Sequence, residues 1–535
     1  MRRRDFVVGL SGLGLAASRS RVAQAQASAQ TRGESLRVLS EAGPNSFDPI
    51  GVGVNRYSIQ ATWNVYDRLV RFGTKSQADG TLSDDYFAIE GELAERFEIA
   101  PDRCRITFHL RRDAVFHDGT PVTAADVKWS LDRVVSVPLG RAQFATGSMT
   151  APEQFTVVDD HTIAVTTPLP DRFTLPNFAT TFPVIINATL ARANANTADP
   201  WASEWLKGNL AGGGPFKLEA YTPGQSLVFQ RHEAWRSGAR PGFRRVVWQM
   251  VPNAQSRRAA LERHDADLVQ DLPPQDAVSL ASVPDIRVVG VPMASVFQFI
   301  GMNNATAPFD NVKVRQAIAY ALPYREMFDA ALFKRGRPLF GGTPGRADGT
   351  LFPQPLGYDT DPARAQALLI EAGYPNGFDT TFTFDASNAM VGEPLAILVQ
   401  EALGKLGIRV TLNKVPPGQL GSLLANKAVP FFFEGSSALF ADPDYFFRIF
   451  YSGATRWNFG SYTNAEFAAL VDKTRFESDP AAYESDVARM IQLAKQEVPI
   501  ILLWQPTLDT GMQATVAGYK YELHRMLDLR TLRRA

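Results

Sequence analysis

Two periodicities alternate along most of this chain. From 106 to 111 apolar and polar positions take turns: Ile106, Phe108 and Leu110 fall on one side, Thr107, His109 and Arg111 on the other. A period of two predicts a half-buried strand. Asp118-Gly119 then signals a turn, and Pro121 stiffens the residues after it. Past the proline the period lengthens. Thr123 can cap a helix, Asp126 completes a capping box, and Val127, Leu131 and Val134 recur at helical spacing. Short apolar strands are also predicted at Leu36–Leu39, Leu93–Ala100, Thr162–Thr166 and Arg244–Val251. Residues 212–231 read as a hairpin turning at Pro223-Gly224, Ser256–Arg263 as a helix, and Val296–Met302 is an apolar run ending at Asn303-Asn304.

The remainder continues the alternation. Asn311 precedes a helix carrying Val314, Ile318, Ala321 and Leu322. Asp361-Pro362 places a cap and then a proline at a first helical position, with Gly373 as the stop. A strand at Thr380–Phe384 leads to a helix at Glu393–Leu406 with Gly407 just past its end. Strands come next at Ile408–Val415 and Pro430–Phe433, then helices opened by Asn464 and by Asp479-Pro480, and a buried strand at Pro499–Trp504. The fold class is α/β.

Composition removes several function classes. Lys+Arg and Asp+Glu both total 55, so the net charge of zero argues against a nucleic-acid or anionic-membrane partner. With 535 residues and 45% hydrophobic content the chain can bury large cores and form several domains. Cys104 is the only cysteine, which rules out an intrachain disulfide; its parity with Ile106 and Phe108 predicts a buried small hydrophobe. Met1–Arg4 is basic, Val7–Ala17 is mildly apolar, and Ala23-Gln24-Ala25 and Ala25-Gln26-Ala27 are small-residue cleavage sites. Residues 1–27 therefore read as a removable export signal. Arg3-Arg4-Asp5-Phe6 resembles the twin-arginine pattern, although a Sec signal with an extra arginine has the same form. No later apolar run approaches the ~18 residues of a membrane helix. None of the six histidines forms a metal-ligand pair, so no metal is expected. No G-x-S-x-G, H-E-x-x-H or phosphate-binding loop occurs, and Gly212-Gly213-Gly214 precedes a strand, which argues against an enzyme.

The run ITFHLRRDAVFHDGTPVTAADVKWSLDRV at 106–134 closely resembles the signature of the family 5 solute-binding proteins, receptors of peptide/nickel-type ABC importers. Further blocks resemble the family in order and spacing: GGGPFKLEAYTPGQSLVFQRHEAW near 212–235, FIGMNNATAPFDNVKVRQAIAYAL near 299–322, YDTDPARAQALLIEAGYPNGF near 358–378, and ADPDYFF at 441–447. The resemblance implies a two-lobe periplasmic binding protein fold. Lobe I would comprise 34–298 plus 506–535, with 78–189 as an extra subdomain, and lobe II 299–505. The crossings would lie at Met302, Asn303 and Gln505 as hinges. It further implies a monomeric periplasmic receptor without a cofactor, which closes on a small solute or peptide and docks on an ABC permease.

The resemblance also bears on the ligand. Dipeptide-binding relatives hold the ligand amine with an aspartate three residues before an Asp-Pro-Asp motif. Here the motif is Asp442-Pro443-Asp444 and that position is Leu439. They hold the carboxylate with an arginine in a loop that here reads Asp385-Ala386-Ser387-Asn388. A buried ammonium without its partner loses ~3–5 kcal/mol, a factor of ~10² or more in affinity. A zwitterionic dipeptide is therefore disfavoured unless another carboxylate, such as Glu434, substitutes. The expected cleft is otherwise aromatic and amide-rich: Phe47, Phe440, Trp457, Asn458, Trp504 and Gln505. Rings and amides suit a peptide-like solute, an oligosaccharide or another weakly charged molecule.

Overall fold

The computed structural model describes residues 33–342, 349–453, 455 and 457–535. The expected export signal lies outside the described residues. Most predicted elements form where the periodicity places them. The strand Arg105–Leu110 buries Ile106, Phe108 and Leu110. The helix Ala124–Ser136 starts after Thr123, whose amide donates to Asp126 Oδ2 at 3.0 Å. The helix predicted at Glu393–Leu406 starts earlier, spanning Ala389–Gly404. It accommodates Pro394 in its interior. Cys104 precedes its strand and is half-buried, less enclosed than its parity predicts.

Two large sheets organise the molecule. The first has seven strands in the order Ile286–Val289, Thr510–Gln513, Leu268–Val269, Ser35–Ser40, Arg245–Met250, Ser226–Arg231 and Phe216–Thr222. The second has six, ordered Gly336–Pro338, Ile500–Pro506, Val296–Met302, Phe431–Ser437, Asp379–Asp385 and Arg409–Val415. Each is the core of one lobe, so the fold is two-lobed with parallel and antiparallel pairs in both sheets. A separate four-stranded sheet, Ala94–Ile99, Arg105–Leu110, Thr162–Thr166 and Phe155–Asp159, carries the helix Ala124–Ser136 and forms a subdomain. The hairpin of Val70–Ser76 and Leu82–Gly91 pairs with Lys520–Tyr521 near the chain end, so a boundary at 78 would cut through that hairpin.

The chain leaves the first sheet at Val289 and enters the second at Val296, then leaves the second at Pro506 and re-enters the first at Thr510. The crossings are thus 290–295 and 507–509. This corrects the expected hinges at Met302 and Asn303. Both are buried at the opposite end of the strand Val296–Met302, about 20 Å away at ~3.3 Å per residue. An apolar run marks a strand but carries no mark of which end adjoins the crossing.

Apolar packing links the subdomain to the second lobe. Phe173 of the subdomain stacks on Phe440 with ring centroids 4.8 Å apart, and both belong to one continuous buried cluster with the second sheet. The first sheet has its own core around Leu36, Phe229, Trp248 and Leu268.

Candidate functional site

The two crossings form a short ribbon. Pro292 and Thr507 make an antiparallel bridge, and the Met293 amide donates to the Pro506 carbonyl at 3.1 Å. Gln505 clasps this ribbon: its Nε2 donates to the Met293 carbonyl at 2.9 Å and the Ala294 carbonyl at 3.3 Å. Gln505 therefore stands beside the crossing. A cavity of about 290 Å³ opens against the ribbon, lined by Val291–Ala294, Leu508 and the C-terminal residues Tyr519, Tyr521, Glu522, Leu523, Arg525 and Met526.

The remaining expected ligand contacts separate. Phe47 is buried in the first lobe against Tyr221, ring centroids 5.0 Å apart, so it is core. Phe440 is enclosed by Phe173, Tyr445 and Tyr86, at the seam between second lobe and subdomain. Trp504 is fully buried, backed by Phe328, and its indole N–H is taken by Gln298 Oε1. Asn458 is saturated by its own loop, donating to the Gly453 and Tyr462 carbonyls and accepting from the Tyr462 amide. Trp457 is 43% exposed, but it stands beside Asn458, whose loop meets Asn304 and Pro499 through Gly460 at the far end of the second sheet. These placements correct the expected aromatic, amide-rich pocket: loop and strand-end residues were assigned to the cleft without knowing which end of the sheet they cap.

Leu439 does lie at the junction of the lobes. It is half-buried, and its carbonyl is 3.0 Å from His524 Nε2 of the C-terminal segment. Two residues earlier, Ser437 ends the strand Phe431–Ser437 and accepts from Arg525 Nη2 at 3.1 Å. Glu434, further back on the same strand, is held above the usual carboxylate range by burial.

Sequence reasoning missed the charged groups that the first lobe brings here. Asp271 accepts from Arg56 Nη2, from the Tyr57 hydroxyl at 2.9 Å and from the Glu41 amide at 3.2 Å. Burial and the neighbouring Asp271 carboxylate push the Tyr57 hydroxyl up to about 12. Behind the cavity, Lys520 lies 2.8 Å from Asp84 and 3.1 Å from Glu522, and Arg530 joins Asp528 to Glu92. Burial first, then the charge of Asp84, raises Glu522 well above its usual value. Lys520, Arg68 and Arg530 are thus interleaved with Asp84, Glu522, Glu92 and Asp528. Buried charges persist only when paired in this way. No single stretch of sequence carries a signal for this constellation, because its members come from distant segments. Among the described residues no group of three or more His, Cys, Asp or Glu side chains could hold a metal ion.

The profile of the bacterial extracellular solute-binding proteins, family 5 (middle region), matches residues 88–458, which include the strand–turn–helix signature and most of the second lobe. The chain belongs to this family. It is 27% identical over 506 residues to the probable D,D-dipeptide-binding periplasmic protein DdpA of Escherichia coli K12, covering 93% of this chain and 94% of that protein. It is 25% identical over 487 residues to the glutathione-binding protein GsiB of Salmonella choleraesuis SC-B67, covering 89% and 90%. The PBP AgaA from A. tumefaciens R10, solved in complex with agropinic acid, superposes with a TM-score of 0.74 at 25% identity, covering 94% of this chain and 99% of that one. As a family 5 member the chain is an ABC-importer solute-binding protein, and the family is one of binding proteins rather than enzymes. Among the described residues no helix is long and apolar enough to cross a membrane.

Proposed function

We propose that this chain works in the periplasm, captures a peptide-like or other small polar solute between its lobes, and delivers it to an ABC permease without a chemical step. The observation that carries this reading is the two-stranded ribbon joining the sheets, with a cavity against it that is lined by apolar and charged side chains, and Ser437 and Leu439 facing the C-terminal segment. A ribbon of two crossings lets lobes rotate as bodies. A cavity at a domain boundary is where a small ligand is expected. Relatives named for a D,D-dipeptide and for glutathione, and one solved with agropinic acid, support a compact polar solute. An oligosaccharide has less support, since Phe47, Phe440 and Trp504 are buried in packing rather than displayed as stacking faces. Twin-arginine export and a monomeric state complete the proposal.

Ligand stabilises the closed state only through its differential affinity for it. A thermal-shift screen with D,D-dipeptides, glutathione and agropinic acid selects a binder, since ~100 times its dissociation constant adds about 2.7 kcal/mol to stability. Small-angle scattering with that binder should then show a smaller radius of gyration. A bound solute that leaves the radius unchanged would defeat the mechanism, and turnover of the solute would defeat the receptor reading.

A further inference from the structure

Arg525 reaches the junction from the C-terminal segment, and the acceptors there do not satisfy it. Arg525 lines the cavity beside the ribbon, and its hydrogen bond goes to the Ser437 hydroxyl of the other lobe at 3.1 Å. Among the described residues no carboxylate pairs with it. Its backbone φ of 65° is in the left-handed region, uncommon for a residue other than glycine and a recurring feature of ligand clamps. Arg56 is better provided for: Asp271 takes its Nη2. Its Nη1, however, is buried and donates to nothing. Asp271 is engaged by Arg56, Tyr57 and the Glu41 amide, and it makes no ion pair with Arg525. Burial and the charge of Arg56 lower the Arg525 guanidinium to about 10, the mark of a cation near a like charge without a counter-ion. A guanidinium left with free donors at a half-buried site matches the planar, two-oxygen geometry of an oxyanion.

We propose that Arg525 binds an oxyanion of the solute, a carboxylate, through its free guanidinium donors, with the Ser437 hydroxyl reaching it from the second lobe. The proposal rests on the solute-receptor reading and deepens it. The carboxylate-binding loop expected from dipeptide-binding relatives has no arginine here, and the positive charge enters instead from the C-terminal segment. An anion at this point touches both lobes, so it contributes to closure as well as to recognition.

The test uses the purified chain, with acetate and inorganic phosphate as probes at constant ionic strength against chloride. Acetate should raise the melting temperature of the wild type saturably. Arg525→Gln should weaken acetate binding at least tenfold, and should leave the unliganded melting temperature equal or higher, because an uncompensated charge near Arg56 is gone. Arg525→Lys, which keeps the charge but not the fork, should fold and show an intermediate loss. Equal stabilisation of wild type and both variants by acetate overturns the proposal, as does a markedly less stable Arg525→Gln, which would make Arg525 a structural prop. Phosphate binding tighter than acetate overturns the carboxylate assignment in favour of a phosphorylated solute. Scattering separates the two readings. A solute that compacts the protein and binds Arg525→Gln as well as wild type removes the anion site alone, whereas a bound solute without compaction removes the receptor mechanism.

Discussion

His117 and His232 meet edge to face, ring centroids 4.9 Å apart, and each turns a ring nitrogen to the Gly214 carbonyl, at 3.0 and 3.2 Å. Burial drives His117 down to about 3 and lowers His232 as well. Both folded values lie below the unfolded value near 6.5, so the unfolded chain binds the extra protons. Their contribution to stability is complete above about pH 6.5 and is lost as pH falls toward 3. Urea unfolding between pH 7.5 and 4.5 should show a slope of up to about 1.4 kcal/mol per pH unit from His117, and His117→Gln should flatten it. The histidine lies in the stretch that resembles the family signature, and here it forms a joint between the subdomain and the first lobe. Trp457 illustrates the converse. An exposed indole invites a ligand role, yet its loop caps the far end of the second sheet, so Trp457→Ala should leave solute affinity within twofold by calorimetry.

At the scale of elements, local signals were sufficient wherever an element is stabilised by its own neighbours. The helix Ala124–Ser136 was legible because Asp126 accepts from the Thr123 amide and hydroxyl at 3.0 and 2.7 Å. Its second role was not: Asp126 Oδ1 also accepts from the Ala188 amide at 3.1 Å, which ties in a second helix start. Asp126→Ala should therefore cost more than the ~1 kcal/mol of a lost cap, about 2–3 kcal/mol in urea unfolding, since a second buried donor is orphaned. The same distinction holds between elements. Arg475, at the end of the helix Ala465–Thr474, pairs with the buried Asp171 at 2.8 Å and donates to the Ala145 carbonyl of the subdomain. Arg475→Ala leaves Asp171 without its cation, a loss of about 3 kcal/mol from this contact between the second lobe and the subdomain. Scattering should show a more open unliganded protein, and the weaker population of the binding-competent state should lower apparent solute affinity.

At the scale of the molecule, the proposed closure turns about the ribbon of 290–295 and 507–509. Replacing Pro292 with glycine loosens the bridge to Thr507 and should change the compaction measured on solute binding. Asn303→Ala removes a hydrogen bond to the Lys427 carbonyl inside the second lobe, so it should lower stability by about 1 kcal/mol and leave compaction unchanged. Period-two and period-3.6 patterns, helix caps and the ordered signature blocks determined the α/β class, most element positions and the family, because those properties depend on residues close in the chain. The end of each sheet that faces the cleft, the burial of Phe47, Phe440 and Trp504, and the meeting of Arg525 with Ser437 were decided only by tertiary structure. Each depends on a contact between segments far apart in sequence, and no local pattern encodes which surfaces two distant segments will share.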